Sequence, residues 1–114
     1  MEELIIELRK FALDREWDKY HNPKNLVMAL SAETGELVEI FQWLTEEESL
    51  KERISPKDYD HCKQEIADIF LYLIRLSDKL EVDLLEAAKD KIKLNAQKYP
   101  VSLSKGNATK YNKR

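Results

Sequence analysis

ALSAETGELVEIF (residues 29–41) and CKQEIADIFLYL (residues 62–73) each set a pair of acids in otherwise apolar sequence. Glu33 and Glu36 form the first pair, and Glu65 and Asp68 the second. Apolar residues recur around both pairs at helical spacing, so each stretch reads as an amphipathic helix. The i,i+3 spacing puts both carboxylates of a pair on one side of one turn. Two such turns facing each other would make a four-carboxylate cage. Carboxylates at close range push each other's pKa up, so a cage of four calls for a cation. Oxygen-only ligation favours Mg2+, Mn2+ or Ca2+.

Working outward, four helices can be read. The first spans about Glu2 to Arg15, with Leu4, Ile5, Leu8, Phe11 and Ala12 at helical spacing. Trp17 to Pro23 interrupts it, and Asn22-Pro23 is a turn signal. The second spans about Lys24 to Leu44. A charged connection, TEEESLKERI (residues 45–54), has room for a short helix. Ser55 then offers an N-cap and Pro56 a first helical residue for the third helix, which runs to about Leu80. The fourth spans about Asp83 to Lys98, ahead of Pro100. These elements predict an all-α fold, a four-helix bundle-like single domain over residues 1–100. A basic and irregular tail follows over residues 101–114, with four basic residues and no acid.

Composition agrees. With 114 residues, two Gly and three Pro, the chain suits one helix-rich domain. Its apolar fraction of 43% allows only a modest core, so a homo-oligomer, dimer or tetramer, is the expected way to bury more apolar surface. The net charge of -3, with acids and bases well mixed, argues against a nucleic-acid polymer as partner. No run of about 18 apolar residues predicts a membrane span. The acidic start MEELIIELRK lacks a signal-peptide layout, and the single Cys62 forms no internal disulfide, so the expected location is cytoplasmic.

On a helical wheel, Leu26, Leu30, Leu37, Ile40, Phe41 and Leu44 form one stripe of the second helix. Glu33 falls near the centre of that stripe and Glu36 at its edge. A helical Glu ordinarily lives in solvent, but a carboxylate in mid-stripe is costly unless it is paired or metal-bound. On the third helix the stripe is Ile66, Ile69, Leu73, Leu76 and Leu80, with Glu65 at its margin beside Tyr72 and Asp68 further out. On the fourth, Leu85, Ala88, Ile92 and Tyr99 form the stripe, Asn95 lies within it and Lys91 at its edge. A hydrogen-bonded core amide and a snorkelling lysine would account for these two. In a polar cavity, Lys91 would instead meet phosphate as a point charge and Asn95 would orient a substrate group. Most helical aromatics are core, yet Trp17 lies in the interhelix loop with His21, and Trp43 lies off its stripe. Both suit a flat pocket for a nucleobase.

These residues together resemble the MazG-like superfamily of all-α nucleoside triphosphate pyrophosphohydrolases, whose signature is ExxE followed at a distance by ExxD. Within it the chain is similar to the dCTP pyrophosphatase group. The shared stretches are REWDKYHNPKNL (15–26), LSAETGELVEIFQW (30–43), EIADIFLYLI (65–74), VDLLEA (82–87) and KIKLNAQKYPVSLSKGNATKY (91–111). The resemblance implies Mg2+-dependent cleavage, with Mn2+ as a substitute, of a deoxynucleoside triphosphate to the monophosphate and pyrophosphate. It implies metal binding by Glu33, Glu36, Glu65 and Asp68. Trp17, Asp18, Lys19, Tyr20, His21, Trp43 and Tyr72 match positions around the nucleotide, and Lys91, Asn95 and Tyr99 match the motif of the last helix. Glu33 is the expected group to polarise the attacking water, and Lys91 the expected partner of the phosphates. Lys105 or Lys110 of the basic tail would reach a neighbouring subunit's site. Animal members of the group carry a His nine residues before the loop tryptophan, where this chain has Leu8. That difference bears on the choice of base.

Three other readings compete. A di-iron carboxylate bundle expects Glu-x-x-His pairs. The histidines here are His21 and His61, and His61 precedes Glu65 by four residues, which is the wrong order and spacing. A non-catalytic helical interaction protein would treat the acids as surface, which Glu33 in mid-stripe opposes. The same chemistry on another nucleotide set, such as dUTP or damaged nucleotides, stays open on sequence alone.

Overall fold

Capping chemistry sets the helix starts. The computed structural model describes residues 1–106, the Ser104 side chain excepted. Helix α1 spans Glu2–Asp14, α2 Pro23–Phe41, α3 Pro56–Lys79, α4 Leu84–Lys98 and the short α5 Val101–Ser104, with a 3-10 turn at Asp18–Tyr20. Among the described residues there is no strand. Asn22, Ser55 and Asp83 each accept a hydrogen bond from the backbone N–H three residues on, at 2.9–3.1 Å. Pro23 and Pro56 follow two of these caps at the first helical position, where a missing N–H costs nothing.

Helix α1 stops differently. Glu16 takes a left-handed φ of 56°. Its N–H bonds to Leu13 O at 3.1 Å, and the Trp17 N–H reaches back to Ala12 O at 2.8 Å. This pair of bonds is a Schellman cap, and it turns the chain so that Trp17 stands off the helix end.

The chain forms two compact units, Met1–Glu81 and Val82–Arg114. In the first, α2 packs along α3 and α1 packs against α3. Ala12, Leu26 and Ile74, one from each helix, are the fully enclosed apolar side chains of this core. Arg9 of α1 clasps Asp78 of α3 with two bonds, Nε to Oδ2 at 2.8 Å and NH2 to Oδ1 at 2.5 Å. In the second unit, Asp83 starts α4 and Pro100 starts α5, so the first turn of the expected irregular tail is helical. Lys110 lies outside the described residues.

Three sequence expectations need correction. Helix α2 ends at Phe41, three residues before Leu44, so Trp43 follows the helix and its wheel position has no meaning. The connection after it holds no helix. Thr45 and Glu48 instead exchange backbone-to-side-chain bonds of 2.9 and 3.1 Å, closing a turn. The α3 stripe is also rotated. Ile66 is 54% exposed, whereas Glu65, expected at the margin, is 7% exposed. The run Ile69–Ile74 is apolar on every side, so the wheel does not reveal which flank faces the partner helices.

Candidate functional site

Glu33 on α2 and Glu65 on α3 meet where the two helices pack. One carboxylate oxygen from each of Glu33, Glu36 and Glu65 lies within 4.8 Å of the other two. Glu33 Oε2 and Glu65 Oε2 are buried and have no hydrogen-bond partner. Such atoms are rare in a settled fold and carry a substantial penalty. Two carboxyl groups can satisfy each other only by sharing a proton. The Glu33 carboxyl is accordingly pushed up to about 7, first by its close approach to the Glu65 carboxyl, then by burial, then by Glu36. A hard divalent cation would relieve all three effects, and three carboxylates converging from two helices are the oxygen donors such an ion takes. The residues present therefore fit a metal.

Asp68 stands apart from that group of three. It is exposed and lies on the wall of an adjoining cleft of about 320 Å3 that Glu33 also borders. Tyr72, Trp17, His21 and Arg75 line the same cleft, along with Leu8, Phe11 and Leu71. Burial, and then the negative charges of Glu33 and Asp68, raise the Tyr72 phenol above its ordinary range, so it remains a hydrogen-bond donor at neutral pH. Trp17 packs edge-on against Phe11, ring centroids 5.8 Å apart, and lies 6.3 Å from the His21 ring. His61 sits one turn before Glu65, its Nε2 3.4 Å from Glu65 Oε1.

Asp18 and His21 are fixed by cations of α3. Arg75 donates from NH2 to Asp18 Oδ1 at 2.9 Å and from Nε to His21 Nδ1 at 3.3 Å, and Lys79 donates to Asp18 Oδ1 at 2.7 Å. The Lys79 bond, followed by the Arg75 bond, holds the Asp18 carboxyl below its ordinary range. Arg75 went unnoticed in the sequence although a signal was there. It follows Tyr72 by three residues and Asp68 by seven, which places all three on one face of α3.

The other expected residues are less gathered. Lys19 and Tyr20 are exposed on the 3-10 turn, with Lys19 Nζ 5.1 Å from the Tyr20 ring centroid. Trp43 is 86% exposed and is not among the residues lining this cleft. Lys91 and Asn95 are exposed on α4, and the Tyr99 N–H closes that helix on Asn95 O at 2.8 Å. All three belong to the second unit.

An all-α chain with an acidic, metal-competent centre beside an aromatic cleft is the class that fold and site define. The sequence pattern of the MazG-like family matches residues 28–113, and the chain belongs to that family. It is 42% identical to dCTP pyrophosphatase 1 of Bos taurus and 37% identical to that of Homo sapiens, in each case over 90% of this chain and 60% of the relative. The chain thus spans 60% of the length of these curated relatives. A crystal structure of a pyrophosphatase from Archaeoglobus fulgidus superposes with a TM-score of 0.80 at 43% identity, covering 88% of this chain and 92% of that one. The all-α expectation is met. Among the described residues no helix is long and apolar enough to cross a membrane.

Proposed function

We propose that the chain hydrolyses a deoxynucleoside triphosphate, dCTP or a modified dCTP, to the monophosphate and pyrophosphate. The observation that carries this reading is the pair of partnerless buried oxygens on Glu33 and Glu65 within reach of Glu36. An aromatic cleft of about 320 Å3, with room for a base, adjoins them. The relatives named dCTP pyrophosphatase 1 support the choice of nucleotide.

Glu33, Glu36 and Glu65, with Asp68 alongside, would hold Mg2+, or Mn2+ in its place, and the ion would supply neutralising charge to the triphosphate oxygens. Glu33 takes the proton of the attacking water, because crowding by Glu65 and burial raise its basicity. Trp17 and Tyr72 give the base an aromatic surface. Asp18 and His21, with Lys19 and Tyr20 on the same turn, give polar contacts. Lys91 meets the phosphates, and Asn95 and Tyr99 orient the substrate; these three roles rest on the sequence pattern. Ile6, Met28, Val38, Ile66 and Trp43 are among the large apolar side chains left more than half exposed, which supports a homo-oligomer. In that assembly Trp43 and Lys105 serve a neighbouring copy's site. Pyrophosphate release from a panel of dCTP, 5-methyl-dCTP, dUTP, dTTP and dATP tests the reading. A panel with no turnover, or a purine nucleotide preferred by a wide margin, contradicts it.

A further inference from the structure

Arg75 is a polar side chain that the proposed chemistry leaves unused, although it is 4% exposed just after the apolar α3 run Ile69–Ile74. Burying a guanidinium is expensive unless its donors are placed. Here they are. NH2 bonds to Asp18, Nε to His21 Nδ1, and NH1 lies 3.7 Å from Asp78 Oδ2. The bond to His21 has a chemical consequence. An arginine can only donate, so the imidazole nitrogen facing it must be bare. A neutral imidazole carries one proton, and that proton must then sit on Nε2, at the opposite edge of the ring. The ring is neutral near pH 7, because burial and then the Arg75 charge hold its pKa below the ordinary value.

We infer that Arg75 is a positioning residue that locks His21 as the Nε2–H tautomer, so that this wall of the cleft offers a donor and never an acceptor to the base. The inference rests on the nucleotide reading above and sharpens it. Cytosine presents two adjacent acceptors, its O2 and unprotonated N3, to such a donor. Uracil and thymine keep the O2 acceptor but carry N3–H where cytosine has a bare N3, and a locked ring facing that position meets it donor to donor. An imidazole without Arg75 can exchange tautomers and accept from N3–H, so Arg75 makes His21 discriminate between pyrimidines. A buried donor left facing another donor is the kind of mismatch that separates close analogues strongly.

Nitrogen-15 NMR of the free wild-type protein at pH 7 reads the tautomer directly and depends on no substrate. The expected spectrum shows His21 with Nδ1 bare and Nε2 protonated. A His21 that is protonated on Nδ1, doubly protonated, or a mixture of tautomers overturns the inference. Kinetics on Arg75→Lys and Arg75→Met provide the second arm. Lysine keeps the charge but cannot fork to both Asp18 and His21. Both variants are expected to lower the dCTP-to-dUTP ratio of kcat/KM by about tenfold or more, the scale of one hydrogen bond gained or lost. They should do so chiefly by improving dUTP, with His21 becoming a mixture of tautomers. A folded variant with the wild-type ratio overturns the inference. A wild-type protein that cleaves no triphosphate defeats the functional reading alone, because the tautomer is still decided on the free protein.

Discussion

Glu33→Gln should inactivate the protein and stabilise its metal-free form at the same time. The Glu33 carboxyl rises from 4.5 to about 7 in the folded chain. That interval corresponds to about 3 kcal/mol, reduced to about 2–3 kcal/mol by the solvent that reaches the cleft. The folded state holds the proton more tightly than the unfolded state does, so this group favours folding below pH 4.5. Its contribution is lost progressively as pH rises to about 7. A glutamine carries no charge to crowd Glu65 and Glu36, and its amide can donate to the Glu65 oxygen that lacks a partner. Thermal or urea unfolding in chelator should therefore show Glu33→Gln more stable than wild type at pH 8, by about 2–3 kcal/mol or roughly 10 °C. The difference should shrink toward zero at pH 4.5. Saturating Mg2+ should let wild type catch up, since an ion at a hundred times its Kd adds about 2.7 kcal/mol. A variant that is less stable than wild type in chelator at pH 8, or that shows the same difference at both pH values, refutes the reasoning.

Other consequences follow from the same geometry. Glu36→Gln and Glu65→Gln should each lower turnover by orders of magnitude with the helical circular-dichroism signal retained, and Asp68→Asn, outside the three-oxygen group, should cost less. Trp17→Ala should raise KM for every accepted nucleotide together in steady-state assays, since stacking of about 1–3 kcal/mol per base is tolerant of base identity. Light scattering at micromolar concentration should find a homo-oligomer, and Trp43→Ala should raise KM only in that assembled form. Glu16→Gly should be neutral to stabilising by up to about 1 kcal/mol in thermal melts, because glycine takes a left-handed φ without strain.

Much of this was legible in the sequence because local chemistry wrote it. Ser55 was legible as a helix cap and its bond forms, while Asn22, read as a turn signal, and Asp83, read as a helix start, cap their helices in the same way. Glu33 in mid-stripe signalled a carboxylate with a task, and three of the four acids converge. The misreadings came from packing. Periodicity does not say which side of an all-round apolar helix faces a partner, so Ile66 and Glu65 were exchanged. The wheel was carried past Phe41, so Trp43 was given a helical face it does not have. Arg75 was overlooked because a basic residue near a helix end reads as surface. Only the approach of the Asp18–His21 turn shows why it is buried.

Phosphorus-31 NMR of dCTP with the protein and Mg2+ tests the central claim most directly. The account predicts pyrophosphate and dCMP as the two products, no signal change in chelator, and none with Glu65→Gln. Release of inorganic phosphate with dCDP, or cleavage that persists in chelator, would contradict a carboxylate-held metal acting on the triphosphate.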